Sequence, residues 1–161
     1  MSKVSEAYLL FITMAISVYY LPKLSAIMDK KLFVAEIRTA YQYLVPAVVV
    51  SALGIYIFRD LITRLLFSDE FSDALYLYAP QLLGDVIKVM SFILSFIMLA
   101  KAMTKLFIFS EVFFSLTYVA WVYFLTEHFG LVGAMYAFVV NYAIYFVFSF
   151  VVARRFIVSM R

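Results

Sequence analysis

The sequence predicts an all-α integral membrane protein whose chain crosses the bilayer five times. Three observations carry that reading. Hydrophobic residues make up 67% of the 161 residues, aromatic ones 20% and charged ones only 14%, and mean hydropathy is +1.04. A soluble domain of this length leaves too much of its surface in water to hide so apolar a composition. The apolar residues also fall into five runs long enough to cross a hydrocarbon core of about 30 Å. These runs lack the polar-apolar alternation of a barrel wall, so their backbone groups must be satisfied within helices.

The first run covers residues 4–21 and is ended by Pro22. Lys3 and the apolar stretch behind it resemble a secretory leader, but Tyr19, Tyr20 and Pro22 stand where small residues would mark cleavage, so the run is read as a retained helix. Residues 22–40 carry mixed charges and read as a link with a short helix lying at the interface. The second run covers residues 41–58, with Pro46 near its start. In residues 59–79, Asp60, Asp69, Glu70 and Asp73 interleave with Leu61, Ile62, Leu65, Leu66 and Phe67, the pattern of a surface-lying amphipathic helix and loop. The third run is 80–100, the fourth 106–126 and the fifth 131–153, the last without a charge. Tight turns at 101–105 and 127–130 make these three antiparallel neighbours. The whole, residues 1–161, reads as a single membrane domain without internal repeats.

Lysine and arginine set the orientation. Lys23, Lys30, Lys31, Arg38, Lys101, Lys105, Arg154, Arg155 and Arg161 fall on one side of a five-span topology, against Lys3, Arg59 and Arg64 on the other. The positive-inside bias puts the 22–40 link and the carboxy terminus in the cytoplasm and the 59–79 link outside. An amino terminus placed outside without a cleavable leader implies that a helix precedes it. The basic residues are spread between apolar runs and make no nucleic-acid patch. Cysteine is absent and His128 is the one histidine, so no thiolate or histidine metal centre is expected. No phosphate-binding glycine loop or nucleophile elbow occurs, so no catalytic residue, cofactor or ATP hydrolysis is expected.

Chemistry concentrates in a few intramembrane polar groups. Gln81, Gly84, Asp85, Lys88, Ser91 and Ser95 recur at three- and four-residue spacing and share one helical stripe. A charge near mid-bilayer costs roughly 2.5–3.5 kcal/mol on insertion scales, so such a stripe belongs against a bundle interior or a wet cavity. Asp85 and Lys88 either neutralise each other across one turn or line a cavity that contacts polar cargo. Glu111, continued by Ser115 and Tyr118, pairs with Lys105 or serves the cargo. Asn141 lies beside Gly130, Gly133, Ala134 and Ala137, whose small-residue spacing suits helix packing. Tyr41, Tyr43, Tyr56, Tyr76 and Tyr78 read as an aromatic belt.

The runs YYLPKLS at 19–25, GIYIFRDLI at 54–62 and QLLGDVIK at 81–88, followed by Glu111, resemble the lipid III and O-antigen flippases of the multidrug/oligosaccharidyl-lipid/polysaccharide (MATE-like) superfamily. The likeness extends over residues 6–153. It implies an inner-membrane protein of twelve helices in two lobes around a central cavity, of which this chain supplies the last five helices. It also implies an undecaprenyl-diphosphate-linked oligosaccharide as cargo, turned from the cytoplasmic to the periplasmic leaflet by alternating access. Gln81, Asp85, Lys88, Glu111 and Asn141 are then the cavity-lining candidates, with a missing amino-terminal lobe or other membrane subunits closing the cavity within the phospholipid bilayer. A multidrug or cation antiporter of the same superfamily and a non-transporting membrane scaffold are the alternative expectations.

Overall fold

A computed structural model describes residues 2–66 and 76–160. Apart from short turns the chain is helical over these residues, and five of its helical stretches are long and apolar enough to span a membrane: Tyr8–Ala26, Lys30–Ile57, Tyr78–Ala100, Thr104–Phe129 and Leu131–Ser159. In chain order the elements are α1 (Ser2–Ala15), a π-helical turn (Ile16–Tyr20), α2 (Leu21–Ala26), α3 (Lys30–Ile57), α4 (Arg59–Leu66), α5 (Tyr78–Ala100), α6 (Thr104–Phe129) and α7 (Leu131–Ser159).

The first two spans depart from the sequence reading at their shared end. Pro22 does not stop the first helix. A proline has no N–H to donate and its ring crowds the carbonyl one turn earlier, so the helix must widen to pass it. It does so in the π-turn, where the Leu21 N–H reaches back to the Ile16 carbonyl, and the chain then runs on into α2. The 22–40 stretch is accordingly no separate interfacial helix. Asp29 caps α3 by accepting from the Leu32 N–H at 2.9 Å, so the second span begins at Lys30 and Pro46 lies well inside it. Lys23 on α2 pairs with the buried Glu36 on α3 at 2.8 Å and closes the hairpin. Of the expected outer amphipathic link, α4 holds the start; Phe67, Asp69, Glu70 and Asp73 lie outside the described residues.

The arrangement is centred on α5, which packs chiefly on α7 and α3 and also on α1 and α2. Ile16, Leu24, Phe33, Val48, Val89, Ile93 and Ile97 meet there in one core, each at most 1% exposed. Hydroxyls staple neighbouring helices to α5: Tyr41 donates to the Met90 carbonyl at 2.7 Å and Tyr20 to that of Ile93 at 3.4 Å. Tyr41 and the buried Tyr78 thus serve packing, whereas Tyr43 and Tyr76 stand exposed as a belt requires. Although α6 follows α5 directly, it leans mainly on α7, so α7 lies between them over most of their length.

Two chain reversals build this order. After α5 the Met103 N–H bonds the Met98 carbonyl at 2.7 Å, and Ala102 takes a positive φ of 57° to allow it. Beside it Lys101 Nζ donates to the Ile27 carbonyl at 2.6 Å and to that of Ser25 at 3.4 Å, which anchors the turn to the end of α2. Burial there holds the Lys101 ammonium pKa below the ordinary lysine value. After α6, Gly130 adopts φ +60° and ψ −142°, a conformation open essentially to glycine.

Candidate functional site

The polar stripe on α5 faces into the bundle. Asp85, Ser91 and Ser95 are fully buried and Gln81 nearly so. Small residues decide which helix the stripe meets. A Cβ on Gly84 would fall 2.2 Å from Cδ1 of Phe138, so glycine is what lets that α7 ring lie against α5. A Cβ on Gly133 would fall 2.0 Å from the Leu125 carbonyl oxygen, so α6 and α7 touch backbone to backbone. Above that contact Asn141 accepts from the Thr117 hydroxyl at 2.9 Å, the interhelical bond expected of an amide flanked by small residues.

Between α5, α6 and α7, with Leu9 of α1 at the rim, lies a cleft of about 510 Å³. Gln81, Asp85, Lys88, Glu111 and Asn141, the five residues singled out by sequence, all line it. So do Ser115 and Tyr118, which continue the Glu111 face on α6. The remaining wall is largely aromatic, with Phe114, Phe138, Tyr142 and Tyr145 facing the charges.

Each charge has a defined setting. A carboxylate taken out of water costs several kcal/mol unless hydrogen bonds replace its hydration. Asp85 accepts from the Tyr8 hydroxyl at 2.7 Å and from Gln81 Nε2 at 3.2 Å. The first of these bonds ties α1 to α5. Glu111 accepts from the Tyr145 hydroxyl on α7, so the partner it has is that tyrosine and not Lys105. The Lys88 ammonium lies 5.3 Å from the ring centre of Tyr142, 5.6 Å from that of Phe92 and 5.8 Å from that of Phe138. Cation–π attraction in a desolvated setting adds roughly 0.5–2 kcal/mol and fixes the charge against α7. Chemically the cleft offers carboxylate acceptors, two amides that donate and accept, a held cation and flat ring faces. Among the described residues no group of three histidine, aspartate or glutamate side chains comes together to hold a metal ion.

The residues that the sequence did not single out are Tyr8, Thr117, Phe138, Tyr142 and Tyr145. One signal was present: Tyr142 and Tyr145 lie mid-segment, where a phenol in lipid requires a partner, and not at an interface. Phe138, Asn141, Tyr142 and Tyr145 also follow one another at helical spacing on a single face.

No protein-family model matches the chain, and no solved structure matches it. Among curated proteins it is similar to the lipid III flippase of Escherichia coli (strain K12), at 34% identity over 145 residues. The lipid III flippase of Shigella flexneri is similar to the same degree. Both matches take in 90% of this chain and 35% of the relative, so the chain spans about a third of the length of the curated relatives it matches.

Proposed function

We propose, from its 34% identity to lipid III flippases over about a third of their length, that the chain forms part of a flippase for a lipid-linked oligosaccharide. In this reading the cargo is an undecaprenyl-diphosphate-linked sugar unit, of lipid III or O-antigen type, carried from the cytoplasmic to the periplasmic leaflet of the inner membrane by alternating access. No bond of the cargo is made or broken. The carboxy terminus is cytoplasmic, and a further membrane lobe or subunit faces the open side of the cleft.

The observation that carries the proposal is the cleft itself: five charged or amide side chains from three helices converge in one hollow of a mostly apolar bundle. Moving a sugar through hydrocarbon requires that its hydroxyls exchange water for protein partners, since an unsatisfied hydroxyl costs several kcal/mol in an apolar medium. Asp85 and Glu111 supply acceptors, Gln81 and Asn141 supply both senses, and the faces of Tyr118, Phe138 and Tyr142 offer the flat apolar surface that a pyranose ring covers. Lys88 supplies the countercharge for a diphosphate.

The test is export in cells that depend on this protein. Replacing Asp85 by Ala, or Lys88 by Ala, removes charge-assisted bonds of roughly 1.5–3 kcal/mol, so antigen export is expected to fall by about tenfold or more. The amount of each variant in the membrane should stay at the wild-type level by immunoblot. Wild-type export by both variants would refute the role of the cleft.

A further inference from the structure

One ring of the cleft wall owes its place to a single small residue on another helix. Phe138 of α7 lines the cleft, and its ring is seated on α5 at Gly84, where an added Cβ would overlap the ring edge at Cδ1 and Cε1. Gly84 lies inside the regular span of α5 and holds no positive φ, so no turn requires it. Glycine weakens a helix interior relative to alanine, so what it supplies here is room. On its other sides the ring meets residues of the cleft. Its centre lies 4.8 Å from that of Tyr142, 6.2 Å from that of Tyr118 and 5.8 Å from the Lys88 ammonium, and all three line the same hollow.

Phe138 thus stands between the α5 backbone on one side and open space on the other. A side chain at position 84 drives the ring toward Tyr118 and Tyr142, and so into the cleft of about 510 Å³. We propose that Gly84 and Phe138 together gauge the cleft, so that position 84 decides how large a sugar headgroup it admits. This inference rests on the flippase reading and adds to it a specificity-determining pair. Phe138 is the member that faces cargo, and Gly84 acts through it as a positioning residue. Selectivity built this way is steric, and it weighs on a long headgroup more than on a short one that leaves the Phe138 end of the cleft vacant.

The probes are undecaprenyl diphosphate carrying one sugar and the same carrier bearing the antigen's full repeat unit, each titrated against the full chain in lipid nanodiscs. Gly84→Val is expected to weaken binding of the repeat-unit carrier about tenfold and that of the single-sugar carrier by less than about twofold. Gly84→Ala, the smaller change, should shift the ratio the same way by about threefold. Phe138→Leu makes room beside the valine, so the double variant should return the repeat-unit carrier to within about threefold of the wild type. Equal loss of both carriers, or no recovery in the double variant, would overturn the gauge and leave the flippase reading standing. A wild-type chain that binds neither carrier would remove that reading and the gauge with it.

Discussion

A methyl group at position 133 would lie 2.0 Å from the Leu125 carbonyl oxygen and 2.7 Å from the Thr126 nitrogen, both backbone atoms. At position 84 the methyl would meet only the Phe138 ring, which can turn aside. Gly133→Ala must pry α6 from α7 and should cost roughly 3 kcal/mol, against roughly 1 kcal/mol for Gly84→Ala. Thermal unfolding of the purified protein in detergent gives the comparison, and equal losses would contradict the backbone contact. The same spacing logic made the polar residues legible beforehand: on a helix, members three or four apart share a face, so Gln81, Asp85 and Lys88 had to look the same way. Their partners were not legible. Nothing local in the sequence brings Tyr8 to Asp85, 77 positions away, or Tyr145 to Glu111, 34 positions away, because those bonds exist only once the helices have packed.

Helix ends were the least readable elements, for physical reasons that differ from end to end. At Pro22 the lost donor is absorbed by the π-turn, so a residue that usually ends a helix only widens one. At the start of α3 the decisive residue is the cap Asp29, whose bond to Leu32 begins a helix well outside the apolar run. Hydropathy marks where lipid begins, and a helix has no reason to stop there. The turn after α5 carries a correctable cost. Ala102 holds φ 57°, a left-handed conformation that crowds its Cβ against the backbone by about 1 kcal/mol. Ala102→Gly removes that crowding, and the protein should gain about 1 kcal/mol in detergent unfolding, less the entropy of the freer unfolded chain. A loss of stability would show that the turn relaxes to another conformation in the folded protein.

For the molecule as a whole, five spans and an α-helical class followed from composition, while the packing order did not. Adjacent segments joined by a tight turn suggest adjacent helices, yet α5 gives its long contact to α7, because Gly84 and the aromatic face of α7 fit each other better than α5 fits α6. The orientation rests on the lysine and arginine distribution and is open to a direct test, since the chain has no cysteine of its own. Ala102→Cys should react with an impermeant maleimide only after cells are permeabilised, and His128→Cys should react in intact spheroplasts. Reversed labelling would invert the topology. The bonds that hold the two carboxylates of the cleft also join its walls: Asp85 accepts from Tyr8 across α1 and α5, and Glu111 accepts from Tyr145 across α6 and α7. A group that took either carboxylate from its tyrosine would loosen a helix contact as it bound, so occupancy of the cleft and the packing of its walls are linked, each shifting the other by the same free energy.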